Sequence, residues 1–127
     1  MSKWLSEQML LEISKICGCL SRSNFEKLAL DGNFDVAESA GVKRGVEYLC
    51  GDVSDDRALK RIGIPDRDYI IEHAKLYEIN PEAPSECSKR IQLDLIVDGV
   101  ESDLTLVVHA YKRVEGDGVR VYDVLTL

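Results

Sequence analysis

The stretch from Ile91 to Leu127 constrains this chain most, because it spells two hairpins in succession: IQLDLIV-DG-VESDLTLVVHAYKRV-EGDG-VRVYDVLTL. Asp98-Gly99 between apolar flanks suits a two-residue turn, whose central positions both need positive φ. With Val97 set opposite Val100, Leu95 is expected to face Ser102, Leu93 to face Leu104 and Ile91 to face Leu106. Side chains alternate along a strand, so Ile91, Leu93, Leu95, Val97, Leu104, Leu106, Val108 and Ala110 should share one apolar face. A simple hairpin through Glu115-Gly116-Asp117-Gly118 pairs even residues of the middle strand with odd residues of the last. Val119, Val121, Asp123, Leu125 and Leu127 would then extend that face. The opposite face would hold Asp94, Ile96, Thr105, Val107, His109, Tyr111, Arg120, Tyr122 and Val124, with Tyr111 facing Tyr122.

A sheet with one apolar face needs cover, and the preceding chain offers helices. Leu5, Met9, Ile13, Ile16 and Leu20 recur at helical spacing, and Gly18 is expected to end or bend that helix. Ser23 to Glu26 has the spacing of a capping box, and Gly32 suits a left-handed cap after a short second helix. Residues 33–52 fit no single pattern, and Ser54-Asp55-Asp56 reads as another helix start. Asp66 to Ala74 allows one or two helical turns with Ile70 and Ile71 inward. Lys75 to Ile79 alternates as a strand, and the loop marked by Asn80-Pro81 and Ala83-Pro84 leads to Cys87 and the long hairpin. The expected fold is one α+β domain over 1–127, with N-terminal helices packed on a C-terminal antiparallel meander of about four strands.

Composition narrows the function. A net charge of −7 argues against a nucleic-acid partner, which needs a basic footprint. The imbalance is greatest over residues 92–127, where seven acids meet three bases. That distribution fits either simple solubility or an acidic hairpin end that addresses a basic partner. No run is long enough to span a bilayer, and the polar residues within MSKWLSEQMLLEISK break any export signal, so a cytoplasmic location is expected. Four cysteines at 17, 19, 50 and 87 lack the spacing of a zinc knuckle or redox pair, so reduced, mostly buried thiols are expected. No metal ligand set and no cofactor motif is legible, and no Gly-Lys-Ser/Thr marks a phosphate loop.

Two candidate sites remain. On the outer face, His109, Tyr111 and Tyr122 beside valines suit a partner surface, rimmed by Asp94, Asp98, Glu101 and Asp103. Cover by a helix or by a second subunit would serve the same face equally well. On the inner face, Asp123 is the odd residue. It is either a cross-strand partner of Lys112 or a pocket carboxylate for acid–base work, with Tyr48, Tyr69 and Tyr77 available to line the pocket. Ser88 is set opposite His109, a pairing that reads better as a surface contact than as a nucleophile with its base.

The order of helices and strands resembles the cystatin-like cone shared with the nuclear-transport-factor-like superfamily, in which a curved sheet wraps a long N-terminal helix. The string ESDLTLVVHAYKRVEGDGVRVYDVLTL is also similar to the ends of small uncharacterised bacterial domains met near polymorphic-toxin and immunity genes. The resemblance implies a non-catalytic immunity (antitoxin-like) protein that occludes a basic toxin domain such as a nuclease. The alternatives are a small cone-fold enzyme or ligand-binding protein with a pocket near Asp123, and a structural homodimer.

Overall fold

The structure is a computed structural model and describes residues 4–22, 25–33, 62–78, 87–112 and 116–126. Ser23, Asn24, Tyr48 and the proposed helix start at Ser54 lie outside the described residues.

The first helix, α1 (Glu7–Ser21), begins where Ser6 caps it, its hydroxyl accepting the Met9 N–H at 3.2 Å. Met9, Ile13, Ile16 and Leu20 form the predicted stripe and are buried. Gly18 does not end the helix. It lies within it, and a Cβ there would sit in ordinary contact with the Ile64 side chain at 3.4 Å. A second helix, α2 (Phe25–Leu30), closes as expected, with Gly32 at φ 75° and the Asn33 N–H donating back to Leu28 O. The third, α3 (Arg67–His73), is capped by Asp66, whose carboxylate accepts the Tyr69 N–H at 2.8 Å. No helix among the described residues is long and apolar enough to cross a membrane.

Four antiparallel strands follow in the order β1-β2-β3-β4: β1 (Lys75–Glu78), β2 (Cys87–Val97), β3 (Val100–Lys112) and β4 (Gly118–Thr126). The α+β arrangement read from the sequence is therefore the fold. The inner face of the sheet meets the helices in one core, where Ile91, Leu93, Leu95, Leu104, Leu106 and Val108 pack with Met9, Ile13, Ile16, Leu28 and Ile70. Each such side chain contributes roughly 1.5–3 kcal/mol by leaving water, which makes this face the main support of the fold.

The first turn is as predicted. Asp98 and Gly99 have φ of 55° and 80°, and Val97 faces Val100. The register then shifts. Beyond Ile96↔Glu101 the next pair is Asp94↔Thr105, so β3 carries two more residues than β2 across this irregularity. Ser102 secures it by donating its hydroxyl to Leu95 O at 2.7 Å and accepting the Leu104 N–H at 3.2 Å. Leu93 consequently faces Leu106, Ile91 faces Val108, and Ser88 faces Tyr111 rather than His109. Two extra residues preserve the alternation, so the inner set was assigned correctly despite the shifted partners.

The β3–β4 shift has a different consequence because it adds a single residue, Tyr122. Val108 faces Val121, but Val107 faces Asp123 and Leu106 faces Val124. One extra residue exchanges the two faces of the strand. Val124 therefore joins the core instead of the outer face, and Asp123 turns to the outer side instead of the inner. Tyr111 faces Gly118 rather than Tyr122, and Lys112 is set opposite Cys87, leaving no Lys112–Asp123 pair.

Candidate functional site

The end of β2 that runs past β1 and the outer edge of β4 are covered in different ways. On the β2 side, Ile62 bridges Val97, the Gly63 N–H donates to Ile96 O at 2.8 Å, and the Tyr69 hydroxyl donates to Asp94 O at 2.6 Å. Burial, with the nearby charges of Glu101 and Asp94, pushes the Tyr69 hydroxyl up to about 12, so it stays a donor at neutral pH. On the β4 edge, Asn33 stands in for a neighbouring strand. Its backbone oxygen accepts the Val121 N–H and its amide nitrogen donates to Val119 O, both at 2.7 Å. Outward groups recur at every second residue, and the extra residue at Tyr122 moves the next one from 123 to 124. The Asp123 carboxylate accepts that Val124 N–H at 2.8 Å. Asp123 is thus explained by the backbone: it is half-buried and satisfies a donor on a strand edge.

This placement keeps Asp123 away from Tyr77, one of the residues expected to line a pocket with it. Tyr77 is on β1 and Asp123 on β4, at opposite edges of the sheet and about 14 Å apart at three strand spacings. A cavity of about 410 Å³ does lie beside β4, lined by Glu12, Asp31, Asn33, Tyr111, Asp117 and Arg120 among others, but not by Asp123 or Tyr77. Two of its three acids, Glu12 and Asp31, have cationic partners. Lys15 meets Glu12 at 2.9 Å and Asp31 at 3.3 Å, and Lys27 also meets Asp31 at 3.3 Å. The hydrogen bond from Lys15, with a further one from Lys27, outweighs desolvation and holds the Asp31 carboxyl below the usual range. Cys17 is sealed in the core, and burial pushes its thiol up to about 12, far from a usable nucleophile. Among the described residues no three His, Cys, Asp or Glu side chains converge to hold a metal.

The predicted outer-face patch divides into two separate groups. At the turn end, Asp98, Glu101 and Asp103 are exposed; Val100, 66% exposed, faces Val97 and so points to the other side of β3 from Glu101. Glu101 also lies 3.6 Å from the His73 ring, which stacks on Tyr69. At the far end, His109 stacks on Tyr122 with centroids 4.6 Å apart, and the Arg90 guanidinium lies 4.9 Å from the Tyr122 ring. Arg90 Nε donates to His109 Nε2 at 3.4 Å, and Arg120 is the exposed cross-strand neighbour of His109. The residues flanking this aromatic pair are arginines, not the acids expected from the sequence.

The ground between these ends is closed. Thr105, Val107 and Tyr111 are buried within the single chain, so of the three rings predicted as partner contacts only Tyr122, half exposed, and His109, partly so, reach the surface. Asp94 is half-buried and accepts the Thr105 hydroxyl at 2.8 Å, which gives it a structural task. Sequence reasoning missed Arg90, Arg120 and Asn33. The cross-strand pairing of Arg90 with His109 was hidden by the shift near Leu95, and Asn33 carried no periodic signal. No family model matches the chain, and no curated protein or solved structure matches it.

Proposed function

We propose that this chain is a non-catalytic binding protein whose acidic hairpin end recognises a basic protein surface, in the manner of an immunity protein that occludes a toxin domain. The observation that carries this reading is the group of exposed acids Asp98, Glu101 and Asp103 at the turn end of the hairpin. Exposed charges of one sign steer an oppositely charged partner during encounter. Support also comes from the excess of acids in that third of the chain.

The partner class is a polypeptide surface rich in lysine and arginine. The test is surface binding kinetics against the product of the neighbouring gene, at two salt concentrations. The triple change D98N/E101Q/D103N should slow association and flatten its salt dependence, because screening then has less to remove. Asparagine at 98 keeps a residue type that tolerates positive φ, so the turn survives the change. An adjacent product that is not basic, or unchanged association rates, would overturn the reading.

A further inference from the structure

The arginines found at the far end of the hairpin give the acidic tip a second possible target within the protein's own surface. Arg90, His109, Arg120 and Tyr122 form a cationic and aromatic platform on a chain whose net charge is −7. The exposed acids of the tip lie on the same hairpin, roughly 25 Å away at the rise of an extended strand. Strand alternation places Arg90 and Ile96 on the same side of β2. Glu101 is directly opposite Ile96, so tip and platform face outward on one side of the sheet. A molecule with opposite charges at the two ends of one element is complementary to its own antiparallel copy.

We propose that two copies associate about a twofold axis, with the Asp98/Glu101/Asp103 tip of each seated on the Arg90/Arg120/Tyr122 platform of the other. A twofold arrangement makes the contact twice and closes, whereas a head-to-tail arrangement would extend into fibres. The guanidinium held over the Tyr122 ring is pre-positioned, so less ordering is needed when a carboxylate arrives. The proposal rests on the reading of the tip as a binder of basic surfaces, and it adds a consequence. Self-association and partner binding use the same acids, so the dimer is the stored form and the basic partner displaces the second copy.

Sedimentation velocity of the full chain over a range of concentrations tests this directly. The wild type should show a concentration-dependent dimer at low salt that dissociates at high salt. E101R alone and R120E alone should each be monomeric, because like charges meet at both contacts of either homodimer. Mixing the two variants should restore the dimer, since one contact is then wild type and the other carries the exchanged pair. A loss of about tenfold per contact would lower the dimer constant about a hundredfold, because the twofold axis counts each change twice. A wild type that stays monomeric at every salt, a dimer indifferent to both variants, or a mixture that remains monomeric would each overturn the proposal. R120E separates this outcome from the function proposed above: its tip is intact, so it should bind the basic polypeptide normally while failing to dimerise.

Discussion

The two ends of the β2–β3–β4 unit are built from similar letters and differ in what those letters can reveal. At the turn, Asp98-Gly99 takes up the positive φ it requires, and Val97 meets Val100 as alternation demands. Toward the far end, one extra residue at Tyr122 reverses which side of β4 each side chain occupies. The irregularity near Leu95 adds two residues and reverses nothing. Parity is therefore what decides whether a bulge corrupts a face assignment. A sequence with an undistinguished bulge residue gives no warning of an odd shift.

The largest test of this contrast is a pair of substitutions on β4. Val124→Asp buries a charge in the core and should cost about 3–5 kcal/mol in chemical denaturation, whereas Tyr122→Asp, at a half-exposed site, should cost less than about 1 kcal/mol. A regular strand without the bulge would still leave 122 outside but would move 124 outside as well, making both changes mild.

Asn33→Ala should follow at about 1–3 kcal/mol. It removes the amide that serves Val119 O and Glu12 and leaves a buried carbonyl unpaired. Hydrogen exchange at the Val121 amide should stay slow in this variant, because the backbone oxygen at position 33 still accepts it. A stability unchanged within error would mean that the β4 edge is closed by something other than Asn33.

A subtler effect concerns acid. Asp31 is held below its ordinary range by Lys15 first and Lys27 second, so its contribution is present above the unfolded-state value and fades as pH falls through the lower folded value. Asp31→Asn should flatten the acid limb of the stability profile while leaving the neutral region nearly unchanged. Cys17 behaves in the opposite sense. Its thiol is raised by burial, so stability is complete below the ordinary thiol value of about 8.5 and falls as pH climbs toward about 12. Alkylation of this thiol at neutral pH should accordingly track global unfolding, and rapid labelling of the native protein would contradict its burial.

Much of the architecture was legible because it rests on short-range chemistry. The Asp98-Gly99 turn, the α1 stripe, the Gly32 cap and the Asp66 start each need only a few neighbouring residues to declare themselves. The site was less legible because it depends on contacts distant in the chain. Tyr111 looked like an anchor on an alternating strand, yet it is buried within the fold. Asp123 looked like a misplaced core acid, yet it answers a backbone donor on a strand edge. Arg90 drew no attention among ordinary charges, yet register brings it beside His109 and Tyr122.

On the proposed function, the regular, exposed end of the hairpin recognises the basic partner and the covered middle of the sheet does not. Hydrogen exchange of the chain with and without the adjacent-gene polypeptide tests it most directly, at a chain concentration too low for self-association. New protection is expected only at the amides of residues 98–103, with the amides of 105–108 unchanged. Protection across 105–108 with none at 98–103 would contradict it.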